Sequence, residues 1–215
     1  MTNTSGSNWT GSIPYVPSPA TVSYNVVVTD NAGHTKAARC SPRSFLIAGV
    51  NAFVTANFED ATDAGWTHAS VGDTSNTNDD WQRGTPAGRT GTSLGVNWTD
   101  PAAAVSGTRA WGNDLGGTGF NGAYQSNVHS YLQSPALNCS GHTNVQLIFK
   151  RWLTVEESLY DTARILVNGV EVWRNPQSGN TLDTQWSTQV LDIAALADDN
   201  PSVTLRFELQ SDGGL

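Results

Sequence analysis

The sequence predicts an all-β protein built around one antiparallel β-sandwich of roughly 160 residues, with a smaller β unit before it. The chain has 215 residues, more than one ordinary domain requires. Charged residues make up only 14% and hydrophobic residues 38%, and glycine, serine, threonine and asparagine crowd the connecting segments. This balance is typical of turn-rich β proteins. Short runs in which apolar and polar residues alternate give the same indication.

The first strand signal is the run TVSYNVVVT, residues 21–29, in which Val22, Tyr24, Val26 and Val28 share one face by the period of two. The residues 30–33, Asp-Asn-Ala-Gly, have the chemistry of a tight hairpin turn. A second strand-like run covers residues 44–50. Two or three strands cannot close a core alone.

Residues 13–48 resemble the closing hairpin of bacterial immunoglobulin-like or fibronectin-like modules, in which an aromatic strand runs into an Asp-Asn-x-Gly turn. The resemblance implies that residues 1–49 are the C-terminal remnant of such a module. That remnant acts as a spacer.

The second unit opens at Ala52 with the strand-like run FVTANFED and passes through a glycine-rich, loop-dominated region, residues 61–107. Clearer strand patterns follow at residues 130–134, 144–155, 161–168, 170–174, 186–192 and 202–209. Asn168-Gly169 is the strongest hairpin signal in the chain. A short helical turn is predicted at residues 193–197.

Several motifs of residues 57–215 occur in the order seen in another family. They are Asn57-Phe58-Glu59-Asp60, Gly65-Trp66, Asp80-Trp81-Gln82-Arg83-Gly84, Ala110-Trp111-Gly112-Asn113-Asp114-Leu115, Leu132-Gln133-Ser134-Pro135, Asp161-Thr162-Ala163, Trp173, Trp186 and Leu191-Asp192. This order resembles the MAM-like jelly-roll domains of secreted bacterial proteins, including those appended to immune inhibitor A-type metalloproteases. The resemblance implies an antiparallel jelly-roll β-sandwich over residues 50–215.

The family pattern closes with a Gly-Trp-x-Ile-Asp-Asp-Val strand, which this sequence lacks. We therefore expect a jelly roll without its last strand and with an open sheet edge. Such an edge permits self-association with another chain.

The same resemblance implies a structural calcium ion, with Glu59 as the first ligand and Asp60 or Asp161 as the second. Asp212 is a further candidate ligand. Calcium takes six to eight oxygen ligands, so adjacent carboxylates are only part of a site. The alternative is that these acids, which follow a strand, are solvated or cap a turn.

Eight tryptophans suggest carbohydrate binding, because an exposed indole face packs well on the C–H surface of a sugar ring. Trp66, Trp81 and Trp111 belong to the family motifs and are expected to pack internally. Trp98 stands in a Gly/Asn-rich segment, and we predict that it is the exposed ligand platform.

The sequence does not favour catalysis. Glu156 and Glu157 are neighbours on a predicted strand and would point to opposite faces, whereas a retaining glycosidase needs carboxyl groups about 5 Å apart. The sequence contains no His-Glu-x-x-His motif, and its Gly-x-Ser-x-Gly run at residues 91–95 is not followed by the helix pattern that a nucleophile elbow requires. We therefore predict no enzyme, although the parent protein could be a secreted hydrolase.

Charge and hydropathy restrict the partners. Eleven basic and nineteen acidic residues give a net charge of −8, and no lysine or arginine run could neutralise a series of phosphates, so a nucleic acid is not expected. No apolar run approaches 18 residues, so no membrane span is predicted. The composition is typical of secreted, extracellular or cell-surface bacterial modules.

Two cysteines, Cys40 and Cys139, are too few for a paired-cysteine zinc site or a dense disulfide framework. Two alternatives remain open for them. They either form one long-range disulfide or are two buried thiols that pack as small hydrophobic residues.

Together these features predict a non-catalytic accessory module that binds a glycan, a protein or another cell-surface ligand, with a structural Ca²⁺. The alternative is a structural spacer or an adhesin-like module that associates with itself. The sequence does not identify the ligand.

Overall fold

A computed structural model describes most of the chain. The described residues are 2–5, 8–10, 20–24, 26–30, 32–37, 43–47, 51–73, 77–93 and 95–213. The chain forms two compact units, Met1–Thr55 and Ala56–Leu215. The sequence predicted this division between residues 49 and 50, and the structure has it between Thr55 and Ala56. That the first unit is an immunoglobulin-like remnant stays a prediction.

The first unit consists of paired antiparallel strands. They are β1 (Thr2–Ser5), β2 (Asn8–Thr10), β3 (Ala20–Tyr24), β4 (Val27–Thr29), β5 (Thr35–Ala37) and β6 (Arg43–Ile47). The pairs are β1 with β2, β3 with β6, and β4 with β5. The predicted run 21–29 is thus divided between two strands with different partners. At the turn after β4, the Asp30 carboxylate accepts hydrogen bonds from the N–H groups of Ala32 and His34.

The second unit contains thirteen further strands and one short helix among its described residues. These are β7 (Thr67–Ser70), β8 (Trp81–Gly84), β9 (Thr90–Ser93), β10 (Val96–Thr99), β11 (Ala110–Asn113), β12 (His129–Gln133), β13 (Gln146–Arg151), β14 (Thr154–Val155), β15 (Thr162–Val167), β16 (Val170–Arg174), β17 (Thr181–Leu182), β18 (Ser187–Asp192), α1 (Ala194–Ala197) and β19 (Leu205–Gln210). The strands predicted from residue 130 onward are confirmed within a few residues at each end, except that the run 144–155 is divided between β13 and β14, which pair with different strands. The predicted helical turn is also confirmed.

A five-stranded antiparallel sheet in the order β16-β15-β19-β12-β7 forms one layer of this unit. Strands β13 and β18 form a separate antiparallel pair, in which Leu147 lies opposite Leu191. Both leucines pack against a buried cluster that includes Val167 and Leu205 of the five-stranded sheet. Two layers therefore bury one core, and the all-β sandwich prediction is confirmed.

The inner face of the large sheet follows from its alternating sequence. In β15, Ala163, Ile165 and Val167 are buried and the intervening residues are partly exposed. Val155 and Val167 are 0% exposed, and full burial of such a side chain contributes about 1.5–3 kcal/mol to folding. The alternation of apolar and polar residues along the strand thus decides which side chains face the core and which face away from it.

The Asn168-Gly169 turn connects β15 and β16, as predicted. Both residues have positive φ, 51° and 79°, as a type I′ hairpin turn requires. The Asn168 side chain also accepts a hydrogen bond from the Thr204 N–H at 2.9 Å. The turn is therefore tied to the segment that leads into β19.

The run FVTANFED forms no strand, which corrects the prediction of a first strand before Glu59. Phe58 has a φ of 63°, outside the β region. The carbonyl oxygens of Phe58 and Asp60 accept hydrogen bonds from the Arg83 guanidinium, each at 2.8 Å. The Arg83 side chain thus supplies the hydrogen bonds that a partner strand would otherwise give to these carbonyl groups.

Cys139 is a free cysteine, 3% exposed, in the main hydrophobic cluster. It packs as a small hydrophobic residue, whereas Cys40 lies outside the described residues. Within the part of the chain that the structure describes, no helix is long and apolar enough to cross a membrane.

Candidate functional site

Three carboxylates from two distant segments converge at one end of the sandwich. Glu156 directly follows β14, Asp161 directly precedes β15, and Asp212 lies just beyond β19. One carboxylate oxygen from each lies within 4.8 Å of the others. We call these three residues the carboxylate cluster.

Asp161 is the buried member of the carboxylate cluster, with 0% exposure. Its Oδ2 accepts a hydrogen bond from the Tyr124 hydroxyl at 2.5 Å, and its Oδ1 accepts one from the Asp212 N–H at 2.8 Å. Burial raises the pKa of Asp161, although these hydrogen bonds oppose that effect. Both partners are neutral, so neither balances the negative charge of this carboxylate.

Burial also raises the pKa of Glu156, and the carboxylates of Asp161, Glu157 and Asp212 raise it further. A proton or a cation would relieve this repulsion. Glu156 is partly exposed and Asp212 is exposed, so the carboxylate cluster opens to solvent on their side.

Asn175 holds the loop that carries Glu156 and Asp161. Its side chain is 1% exposed and donates hydrogen bonds to the carbonyl oxygens of Glu156, at 2.7 Å, and Asp161, at 2.9 Å. Its Oδ1 accepts a hydrogen bond from the Ala163 N–H at 3.0 Å. One buried amide therefore fixes both ends of the loop.

The geometry of the carboxylate cluster fits a calcium ion. Calcium binds oxygen ligands at about 2.4 Å, so ligands on opposite sides of the ion are separated by about 5 Å. The three carboxylate oxygens lie within 4.8 Å of one another, so all three can reach one ion of that size. Three carboxylates are also hard oxygen donors, the ligands that this cation prefers.

Of the predicted metal ligands, Asp161 lies in the carboxylate cluster, together with the further candidate Asp212. Glu59 and Asp60 are not among its members, and their role as calcium ligands stays a prediction. The Glu59 carboxylate accepts hydrogen bonds from the Thr108 N–H, the Thr108 hydroxyl and the Arg109 N–H, at 2.7–2.9 Å. These bonds lower its pKa and connect the segment around residue 59 to the segment before β11.

The sequence pattern presents Glu156 only as one of two adjacent acids on a predicted strand. The strand β14 ends at Val155, so the alternation of faces does not extend to Glu156. The sequence signal for this site is an acid directly after one strand, followed five positions later by an acid directly before the next strand.

The prediction that Trp98 is exposed is wrong. Trp98 lies in β10, paired with Gly91 of β9, and is 8% exposed. A Cβ atom at Gly91 would lie only 2.4 Å from the Trp98 ring. The glycine therefore leaves room for the indole, and the Gly-rich composition indicated close packing, not an exposed loop.

The face of the five-stranded sheet that points away from the core carries an ordered polar array. One cross-strand row contains Arg174, Arg164, Glu208, Tyr131 and Ala69, one residue from each strand. With strands about 4.8 Å apart, this row is on the order of 20 Å long.

A neighbouring row contains Glu171, Leu166, Arg206, Gln133 and Thr67. We call the polar residues of both rows, together with His129, the outer-face array. It presents charged, amide and aromatic groups on one sheet surface.

Glu208 is the centre of the outer-face array, and its side chain is 4% exposed. Its Oε2 accepts hydrogen bonds from Arg164 Nε and Nη2 at 2.7 and 2.6 Å, and Oε1 accepts one from Arg206 at 3.2 Å. A ring nitrogen of His129 lies 3.2 Å from Oε2. Burial alone would raise the pKa of Glu208, but these hydrogen bonds and the Arg164 charge outweigh it and lower the pKa.

The other arginines of the array are also held in place. The Arg206 guanidinium lies over the Tyr131 ring, 3.8 Å from its centroid, and donates to Gln133 Oε1. Arg174 forms two hydrogen bonds with the Glu171 carboxylate, at 2.8 and 2.6 Å. The arginine side chains remain 27–38% exposed, so their orientation is fixed while part of each side chain faces solvent.

Comparison with known proteins gives weak similarities. No family model matches the chain. A stretch of 139 residues, 64% of this chain, is 26% identical to Bacillopeptidase F of Bacillus subtilis (strain 168) and spans 8% of that protein.

A solved structure, from work on the structural basis for the promiscuous specificity of carbohydrate-binding modules of the β-sandwich superfamily, aligns over 92% of this chain and 70% of its own. The sequence identity is 15% and the TM-score 0.40. Membership of the MAM-like family therefore stays a prediction.

Proposed function

We propose that this chain is an accessory module of a secreted multidomain protein, and that it binds a glycan and carries one structural calcium ion. It acts by binding, not by catalysis. Similarity to a stretch that makes up only 8% of a protein named as a peptidase supports an accessory role. The observation that carries the binding proposal is the outer-face array.

Sugar rings offer many hydroxyl groups and an apolar C–H surface, so a protein recognises them with polar groups in fixed positions and with aromatic rings. The outer-face array supplies both kinds of group. Gln133 and the arginines offer polar groups that the buried Glu208 and their other neighbours hold in position, and Tyr131 lies in the same row as Glu208. Because neighbouring side chains already hold these groups, little conformational entropy would be lost on binding.

The calcium proposal rests on the carboxylate cluster. Buried charges in proteins are normally paired with an opposite charge or bound to a metal, because an isolated buried charge is very unfavourable. Asp161 is fully buried beside Glu156 and Asp212, and the two groups that donate to it are neutral. A divalent cation would join the loop after β14 to the segment after β19.

Thermal unfolding of the full chain, first with excess calcium and then with a chelator, tests the calcium proposal. A ligand that binds only the folded state at about 100 times its dissociation constant adds about 2.7 kcal/mol, which is several degrees in melting temperature. Glu156→Gln is expected to abolish this rise. The neighbouring Glu157→Gln is the matched control and should keep it. Equal rises in all three proteins would remove calcium from this site.

A glycan array probed with the full chain tests the binding role. Binding to a defined set of glycans, reduced by changes in the outer-face array, is the expected result. A spacer that only separates other domains would give no binding, and that result would contradict the proposed role.

A further inference from the structure

The outer-face array differs in charge from the molecule as a whole. The chain carries a net charge of −8, yet three guanidinium groups in the array face only two carboxylates, those of Glu171 and Glu208. His129 adds a further positive charge when it is protonated. A polyanion would thus be repelled by much of the surface and attracted to this face.

Each arginine also keeps donors for a ligand. A guanidinium has five N–H donors, and the hydrogen bonds of Arg164, Arg174 and Arg206 to their protein partners occupy two each. The planar guanidinium fork matches the two oxygens of a carboxylate. The array already displays this preference, since Arg174 holds the Glu171 carboxylate through both Nε and Nη2.

We infer that the outer-face array binds an acidic polysaccharide whose sugars carry carboxylates, a polyuronate. Arg164, Arg174 and Arg206 bind the uronate carboxylates. Gln133 binds ring hydroxyl groups, and the buried Glu208 holds Arg164 and Arg206 in position. This inference rests on the proposed glycan-binding function and specifies its ligand class and its surface.

The row geometry favours a linear polymer over a small anion. The row that contains Glu208 crosses all five strands. Arg174 and Arg164 lie at one end of this row, and Tyr131 and Ala69 lie at the other. Arg206 lies in the next row. A chain of sugars along the face would therefore meet charged groups and an aromatic ring in succession.

Calorimetric titration of the full chain with polygalacturonate tests the inference, with the fully methyl-esterified polymer as a neutral ligand of the same backbone. We expect the ester to bind at least about tenfold more weakly, which corresponds to the loss of about 1.4 kcal/mol. Binding of the acid should also weaken as salt is raised. A sulfated glucan in a third titration distinguishes carboxylates from anions in general, and equal or tighter binding of the sulfate would overturn the carboxylate assignment.

The surface is located with Arg174→Gln and Arg206→Gln, each expected to weaken polygalacturonate binding about tenfold. Arg174→Lys keeps the charge but not the fork, and should lie between the wild type and Arg174→Gln. The matched control is Lys150→Gln, which removes one positive charge from β13 on the other layer and should change affinity less than about twofold. Unchanged melting temperatures establish that the variants are folded.

The outcomes separate this inference from the proposed function. Equal binding of the acid and the ester, or equal effects of Arg174→Gln and Lys150→Gln, would overturn the inference and leave glycan binding standing. Failure to bind any glycan would overturn both.

Discussion

The hydroxyl of Tyr124 donates a hydrogen bond to Oδ2 of the fully buried Asp161, at 2.5 Å and across 37 positions of sequence. This bond connects the loop before β12 to the start of β15. It places a donor beside a buried carboxylate that has no cationic partner among its hydrogen-bond donors. Removal of the Tyr124 hydroxyl would therefore leave this buried carboxylate with one hydrogen-bond donor fewer.

Tyr124→Phe removes only the hydroxyl group of this pair. The buried Asp161 then loses one of its two donors, and we expect the free energy of unfolding in chelator to fall by about 1–3 kcal/mol. Urea unfolding measures the difference. Tyr160→Phe is the matched control, because Tyr160 is 53% exposed and its hydroxyl should matter by less than about 0.5 kcal/mol. Equal effects of the two changes would contradict a special role for Tyr124.

Asp100→Asn is expected to stabilise the protein at pH 8. Burial and then the Asp114 carboxylate raise the pKa of Asp100 to about 6, from 3.8. Between these values the folded state binds more protons than the unfolded state, so stability falls as pH rises through this window. The asparagine avoids this cost, and we expect a gain of about 1–3 kcal/mol at pH 8.

The same comparison at about pH 2.5 should show no difference between Asp100→Asn and the wild type, because the carboxyl group is then protonated in both the folded and the unfolded state. Asp60→Asn, at an exposed position, is the control and should be neutral at both pH values. Urea unfolding at the two pH values measures all three proteins. A destabilised Asp100→Asn at pH 8 would show that this carboxylate has a favourable partner when it is charged.

The Glu59→Gln variant tests whether Glu59 acts as a hydrogen-bond acceptor within the protein or as a metal ligand. Three hydrogen bonds lower the pKa of Glu59, so its contribution is present above its ordinary value of 4.5 and is lost as pH falls through the lower folded value. We expect a lower melting temperature at pH 7 and an unchanged rise with calcium. Thr108→Ala, which removes one of the three bonds, should have a smaller effect. Loss of the calcium response in Glu59→Gln would return Glu59 to the metal site.

Gly91→Ala tests the packing beneath Trp98. The new Cβ would lie 2.4 Å from the indole ring, so the ring or strand β9 must move, at an expected cost of about 1–3 kcal/mol. Gly117→Ala is the matched control, since a Cβ there meets no atom within 4 Å. The two variants are compared by urea unfolding. Similar stabilities would mean that Trp98 moves freely, as an exposed platform would.

The sequence alone determined the local structure of the sandwich. The period of two assigned the faces of β15, and Asn168-Gly169 predicted its hairpin, because both depend on residues close together in the chain. It also indicated Asp161 and Asp212 as candidate ligands through a resemblance to a known family.

Only the tertiary structure decided which distant groups meet. Glu156 joins Asp161 and Asp212 because strands β15 and β19 pair in one register, which brings Asp212 beside Asp161. The same register places Arg164, Glu208 and Tyr131 in one row. Trp98 is buried because Gly91 lies opposite it on the neighbouring strand. Such contacts depend on strand order and register, and no local pattern of residues encodes them.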